Sequence, residues 1–111
     1  MKFLFIDDNA EWLGSVQRCF SENKNVVFAE CHSVDEALRA ISEHKPDVVF
    51  LDHSLTEDGN EGLEIVDRVE GIKIYSTTAN SGVVSEYKKR RIESVGKIDL
   101  RKLKSIIAGS N

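Results

Sequence analysis

The sequence has little cysteine, a single proline and no long hydrophobic run. Its two cysteines, Cys19 and Cys31, form no Cys-x-x-Cys pair and lack the spacing of a metal site, so we interpret both as small core residues. No apolar stretch approaches the roughly 20 residues that a membrane helix requires. The first apolar run is interrupted by Asp7-Asp8 too early for a signal peptide. These absences argue against a membrane protein and predict a cytoplasmic one.

Length and composition are those of one globular domain. The chain has 111 residues, and 41% of them are hydrophobic, which is enough for one packed core spanning 1–111. Repeats, low-complexity tracts and linker-like segments are absent from the sequence. The net charge is -4, but residues 1–72 carry 16 acids against 6 basic residues, whereas 73–111 carry 3 acids against 9. An asymmetry of this kind can mark a binding face.

Short apolar runs alternate with helical patterns along the chain. Between the runs, apolar residues recur at helical spacing, with Asn9 as a predicted N-cap and Ser33 with Glu36 as a predicted capping box. Five β-α units predict an α/β fold, a doubly wound flavodoxin-like parallel sheet of five strands in the order 2-1-3-4-5 with helices on both faces. The runs that predict strands cover 2–6, 26–29, 48–51, 72–75 and about 92–96.

Carboxylates stand at the ends of two of these strands. Asp7 and Asp8 follow the first strand and Asp52 follows the third, and the predicted order makes these two strands neighbours. Three acids in one small volume repel each other unless a cation lies between them. Oxygen ligands suit a hard ion. The sequence therefore predicts Mg2+ at Asp7, Asp8 and Asp52.

Two further polar residues are predicted at the same edge of the sheet. Thr78 follows the fourth strand and Lys97 follows the fifth. Carboxylates can attack phosphorus to form an aspartyl phosphate. The transferred phosphoryl group carries negative charge that needs positive partners and hydrogen-bond donors. Asp52 is the predicted nucleophile, with the Lys97 ammonium and the Thr78 hydroxyl as its partners.

At this point the chain resembles the receiver domain of two-component response regulators. The resemblance runs from Lys2 to about Ala108. Its five matching residues come in the family's order, each at the end of a predicted strand. The segments that carry it are Phe5-Ile6-Asp7-Asp8-Asn9, Phe50-Leu51-Asp52, Thr78-Ala79 and Lys97.

The resemblance implies that Asp52 accepts a phosphoryl group from a partner histidine kinase or histidine phosphotransfer protein. It also implies that the backbone carbonyl of Ser54 completes the Mg2+ shell. Thr78, favoured over Thr77 by the neighbouring Ala79, would be the hydroxyl that moves toward the phosphate. The chain would then be no enzyme, apart from a slow autodephosphorylation. It would act as a phosphorylation-dependent protein-binding switch or as a relay.

Three features depart from the family's pattern. Lys97 is followed by Ile98, where the family usually has proline after a cis bond; without proline a cis bond costs about 2.5–4 kcal/mol, which leaves this bond's geometry open. Ser94 stands where the family often has an aromatic residue, which puts coupling through an aromatic rotamer in question. The loop from Asp52 to Gly62 lacks the usual proline and is longer than typical.

These departures keep other functions open. The alternative is a pseudo-receiver, a binding module that does not use phosphorylation. A third hypothesis is a metal-dependent phosphatase of the haloacid dehalogenase type, with its nucleophile at the end of the first strand. Such enzymes use a DxD arrangement, and Asp7-Asp8-Asn9 lacks that spacing.

The densest charge cluster is Lys88-Lys89-Arg90-Arg91. We interpret this basic run as a solvated helix end, with docking of an acidic downstream protein or a homodimer contact as the alternatives. Nucleic acid is not favoured, because only Tyr87 interleaves with the run and no recognised module is present. His53, beside Asp52, is predicted to point away from it because side chains alternate along a strand.

Overall fold

The computed structural model describes residues 1–78 and 80–109; Ala79, the neighbour that favours Thr78 in the sequence, lies outside them. Strands and helices alternate throughout. The strands are β1 Phe3–Asp7, β2 Val26–Glu30, β3 Val48–Leu51, β4 Lys73–Ser76 and β5 Glu93–Ser94. The helices are α1 Ala10–Cys19, α2 Val34–His44, α3 Glu61–Arg68, α4 Ser81–Lys89 and α5 Leu100–Gly109.

All five strands are parallel and lie in the order β2-β1-β3-β4-β5, so the predicted fold is confirmed. The register places Ile6 beside Leu51, and Leu51 beside Ser76. The residues that follow these strands therefore leave the sheet at one edge. Because parallel strands of this kind bind ligands beyond their carboxyl ends, this edge is where the site is expected.

The sheet separates two hydrophobic clusters. On one face, rings of Phe3, Phe5 and Phe50 stack beneath α1 and α5. On the other face, aliphatic residues of β1 and β3 pack against α2 and α3. Cys31 belongs to this second cluster, as expected, but Cys19 is exposed at the end of α1, so its assignment to the core is wrong.

Local sequence signals set most helix starts. The Asn9 side chain accepts a hydrogen bond from the Trp12 N–H, and the Ser33 hydroxyl accepts one from the Glu36 N–H, as predicted. The α4 helix begins at Ser81, earlier than the turn-like Asn80-Ser81-Gly82 suggested, because the Asn80 side chain caps it by accepting from the N–H groups of Gly82 and Val83. None of the described helices combines the length and apolar character that crossing a membrane requires.

Candidate functional site

Three carboxylates meet at the carboxyl edge of the sheet. Asp7 is the last residue of β1, Asp8 follows it, and Asp52 follows β3. One oxygen from each lies within 4.8 Å of the others. The Asp52 N–H donates to the Ile6 carbonyl at 3.0 Å, so the ladder between β1 and β3 continues into the site. Asp7 is completely buried and Asp52 nearly so.

Lys97 reaches this cluster. Its Nζ lies 2.7 Å from Asp7 Oδ2 and 3.2 Å from Asp52 Oδ1. The described residues contain no cis peptide bond, so the bond to Ile98 is trans, and the ammonium arrives at the acids without a proline behind it. Trp12 of α1 supports the lysine: its Nε1–H donates to the Lys97 carbonyl at 3.1 Å, and its ring lies 5.3 Å from Nζ.

The charges of the site are strongly coupled. Burial raises the pKa of Asp7, and the hydrogen bond from Lys97 offsets this only in part. Burial also raises the pKa of Asp52, and the charge of Asp7 raises it further. Burial alone would lower the pKa of Lys97, but its hydrogen bond to Asp7 and the charge of Asp52 raise it above the usual value. One ammonium therefore faces more negative charge than it neutralises.

An open cleft of about 480 Å³ lies next to the acids. Thr77 and Thr78, the two candidate hydroxyls, both line it, as does Ser54, whose backbone carbonyl is the further predicted metal ligand. Thr78 is half-buried, and its hydroxyl accepts a hydrogen bond from the Asn80 N–H at 3.3 Å. Thr77 is buried, and its hydroxyl has no hydrogen-bond partner among the described residues. Both threonines thus border the space beside Asp52, although the Thr77 hydroxyl itself is buried.

The loop after Asp52 is fastened by a residue that the sequence reasoning missed. Glu61, the first residue of α3, accepts hydrogen bonds from the N–H groups of Leu55 and Thr56 at 2.8 and 3.1 Å. Its second oxygen accepts from the Thr56 hydroxyl at 2.7 Å. Leu55 is buried beneath this clasp. The available signal was an acid in the first helical turn after a polar loop, and it explains how this loop is ordered without proline.

Tyr87 is the second residue that the sequence reasoning missed. It is the only residue of α4 that is fully buried, and its hydroxyl lies 2.9 Å from His53 Nδ1. The prediction that His53 turns away from Asp52 fits this contact, because the imidazole faces α4. The available signal was the single aromatic side chain in a short helix whose only other large apolar residues are Val83 and Val84.

Part of the basic run is engaged within the fold. Arg90 forms a bidentate pair with Asp67 of α3 at 2.9 and 3.2 Å and also contacts Glu86 at 3.5 Å. Lys89 pairs with Glu86 at 3.2 Å. Lys88 and Arg91 are exposed. The interpretation as a solvated helix end therefore needs one amendment, because Arg90 fastens α4 to α3.

The acids at this edge fit a hard divalent cation. Carboxylate oxygens are the ligands that Mg2+ prefers, and two of the three carboxylates are buried where water cannot screen their repulsion. Only Lys97 is paired with them among the described side chains, so a net negative charge remains. Asp7, Asp8 and Asp52 would hold such an ion, and Ser54 lies beside them.

Comparison with known proteins agrees with this geometry. The family described as "Response regulator receiver domain" matches residues 3–95. The BeF3-activated N-terminal receiver domain of Klebsiella pneumoniae RstA superposes with a TM-score of 0.74 at 17% identity, covering 97% of each chain. A response regulator receiver domain protein from Clostridium thermocellum has a TM-score of 0.65 at 23% identity, covering 87% of this chain and 82% of its own. No protein with a curated function matches the sequence.

Proposed function

This chain belongs to the response regulator receiver domain family, and from that premise we propose that it is a phospho-acceptor whose Asp52 receives a phosphoryl group. The observation that carries the proposal is the contact of Lys97 Nζ with both Asp7 and Asp52 beside an open cleft. A nucleophile, a cation and room for a phosphoryl group are thereby adjacent. The family is generally a non-enzymatic signalling module, and we assign this chain the same role.

Asp52 would act as the nucleophile. One of its carboxylate oxygens forms the new bond to phosphorus, while the bond between phosphorus and the donor nitrogen of a partner's phosphohistidine breaks. The leaving nitrogen keeps the electron pair. Mg2+, when bound at Asp7, Asp8 and Asp52, would supply positive charge to the oxygens of the transferred group.

Lys97 and a threonine would hold the transferred group. The Lys97 ammonium is a compact charge on a flexible stem, and it can exchange its contact with Asp52 for one with a phosphoryl oxygen. Thr78 is our candidate for the hydroxyl donor, and Thr77, which lines the same cleft, is the rival. The contacts of Lys97 support its role despite the isoleucine that follows it.

The partners follow from this chemistry. A histidine kinase or a histidine phosphotransfer protein would supply the phosphoryl group. The phosphorylated chain would act as a protein-binding switch or pass the group on as a relay. The exposed cations Lys88 and Arg91, with Lys89, offer a face for an acidic downstream protein.

Incubation with Mg2+ and a small-molecule phosphodonor tests the proposal. Intact-mass measurement should find one added phosphoryl group in the wild type and none in Asp52→Asn. Asp58→Asn is the matched control, because Asp58 is an exposed carboxylate in the same loop. Equal labelling of the wild type and Asp52→Asn would refute Asp52 as the acceptor.

The same experiment addresses the pseudo-receiver alternative. If the wild type takes up no phosphoryl group and its binding to a partner is indifferent to Asp52→Asn and to Mg2+, the chain is a phosphorylation-independent module. Partner binding that changes on phosphorylation excludes that alternative.

A further inference from the structure

We propose that Tyr87 is a positioning residue that links the state of Asp52 to helix α4. The inference rests on the proposed function, since it names how phosphorylation at Asp52 would be read out. The proposed link runs from Asp52 through the adjoining His53 to the hydroxyl of Tyr87. The basic run at the end of α4 then moves with the helix.

Tyr87 is the anchor of α4. Every other residue of the helix is exposed or half-buried, whereas the tyrosine is completely inaccessible and is among the largest fully buried side chains. Apolar burial is the main force that holds a helix on a sheet. A change in the surroundings of this one ring therefore acts on the attachment of the whole helix.

The Tyr87 hydroxyl packs against α3 at a position where only glycine leaves enough space. Gly62 of α3 lies so close to the Tyr87 hydroxyl that an added Cβ would overlap it. The same Cβ would lie 2.7 Å from the Asp52 carbonyl oxygen and 2.9 Å from His53 Cα. The Tyr87 hydroxyl, the Asp52 carbonyl and His53 Cα thus all border the position of Gly62. A shift of one of these groups therefore changes the space at Gly62 against which the others pack.

His53 completes the link on the side of the acceptor. Its Nδ1 lies 2.9 Å from the Tyr87 hydroxyl, a hydrogen bond in either tautomer because a hydroxyl both donates and accepts. The two rings also meet edge to face, with centroids 5.6 Å apart. His53 follows Asp52 directly in the chain, so the aromatic pair connects the acceptor's own backbone to α4.

Tyr87 faces Ser76 of β4, a small buried residue of the sheet. Ser76 pairs with Ser94 of β5, and both serine hydroxyls are buried. Burial raises the pKa of Tyr87, and the charge of Asp52 raises it further, so the phenol stays neutral.

A phosphoryl group on Asp52 would change both charge and volume next to this link. The Tyr87 hydroxyl and His53 must then re-form their hydrogen bond in a new geometry. Because Tyr87 is the buried residue of α4, the helix moves with it. Arg90, paired with Asp67 of α3, holds the far end of the helix. We therefore expect a small movement of α4 while its C-terminal end stays paired with α3. The exposed lysines of the basic run would move with the helix.

Hydrogen exchange of the helix tests the inference. Exchange of the peptide spanning 81–90 is measured with and without Mg2+ and beryllium fluoride, a phosphoryl mimic. Trp12, the only tryptophan, contacts Lys97, so its fluorescence reports occupancy of the site separately. In the wild type, occupancy should change exchange in this peptide by roughly three- to tenfold, the size of effect that one buried hydrogen bond has on an equilibrium.

Tyr87→Phe keeps the ring and removes the hydroxyl. At matched occupancy this variant should lose most of the change in α4 while the Trp12 signal persists. Tyr75→Phe is the matched control, because Tyr75 is the only other tyrosine and its ring stacks on Phe50 in the cluster beneath α1 and α5. The control should respond like the wild type.

Substitution of His53 provides a second measurement. Asn can place a polar atom near the position of Nδ1, so His53→Asn should keep more of the helix response than His53→Leu, compared at equal occupancy. A response that is unchanged in Tyr87→Phe and equal in the two His53 variants overturns the inference and leaves the proposed function intact. Absence of any Trp12 response in the wild type overturns the proposed function, and the inference with it.

Discussion

Alanine at Gly62 should destabilise the fold far more than alanine at another helical glycine. A Cβ at Gly62 would approach the Asp52 carbonyl oxygen to 2.7 Å and His53 Cα to 2.9 Å, besides overlapping the Tyr87 hydroxyl. Two of these three neighbours are backbone atoms, which cannot rotate out of the way. Overpacking a core typically costs about 1–3 kcal/mol, and rigid neighbours place this case at the upper end. We therefore expect a loss of about 3 kcal/mol in the free energy of unfolding.

Gly14 of α1 supplies the matched control. A Cβ there would meet only the end of the Arg18 side chain at 3.8 Å, which is ordinary contact. Alanine is the better helix former by about 0.5–1 kcal/mol, so Gly14→Ala should stabilise the protein. The same chemical change is thus expected to have opposite signs at the two positions.

Urea unfolding followed by Trp12 fluorescence measures both variants. Removing the hydroxyl in the double variant Gly62→Ala/Tyr87→Phe relieves one of the three close contacts. The double variant should therefore be more stable than the sum of the two single effects predicts. If Gly62→Ala lies within about 1 kcal/mol of the wild type, or if the two changes are strictly additive, the close packing of Gly62 against Tyr87 is refuted.

Three further predictions concern the acids, the thiols and the loop. In metal-free protein, the pKa of Asp52 is raised from its usual value of 3.8, so the stability that this carboxyl contributes is present below pH 3.8 and is lost as pH rises through the raised pKa. Asp52→Asn should therefore increase the free energy of unfolding near pH 7 by at least about 1 kcal/mol. Thermal unfolding of the variant without that gain would contradict this prediction. Burial raises the pKa of Cys31 to about 11, so a thiol reagent at pH 8 should label the exposed Cys19 first, and equal rates would refute the assigned burial. Glu61→Ala removes the hydrogen bonds that hold the loop, so it should lower the free energy of unfolding by about 1–2 kcal/mol and speed hydrogen exchange of the peptide 53–58. Glu64→Ala, an exposed control, should leave exchange of that peptide unchanged.

The sheet and the acid cluster could be predicted because each depends on short-range pattern and on topology. Residues 3–6 before Asp7 and 48–51 before Asp52 are all apolar, as is expected of strands buried on both faces. Parallel connection rules then leave few strand orders, and the order observed makes β1 and β3 neighbours. Convergence of the carboxylates follows without any knowledge of side-chain packing.

The reach of Lys97 could not be predicted in the same way. It depends on the backbone after β5, where Ile98 replaces a residue type that would have restricted the chain. The structure places Nζ on Asp7 and Asp52 with a trans bond, and Trp12 of α1 braces the lysine's carbonyl. That support comes from a helix far away in the sequence, so no local pattern could indicate it.

The anchoring of α4 escaped prediction for a different reason. A helix with one buried residue has no stripe at helical spacing, and the lysines and arginines beside Tyr87 make the segment look solvated. The burial of the ring depends on small residues elsewhere: Gly62, which has no side chain, and Ser76 of β4. Space left by small residues on other elements is a tertiary property, which a single segment does not reveal.

The residues that would carry out phosphorylation and the residues that would transmit it to α4 make different contacts in this chain. Asp7 and Lys97 are held by strand ends and by Trp12, and none of these contacts involves α4. Within the described part of the chain, Tyr87 contacts His53, which adjoins Asp52, and Gly62 at the start of α3. A substitution at the tyrosine hydroxyl can therefore disconnect the helix without altering the proposed phosphorylation site. Substitutions can then alter the proposed phosphorylation site and the position of α4 independently within one small domain.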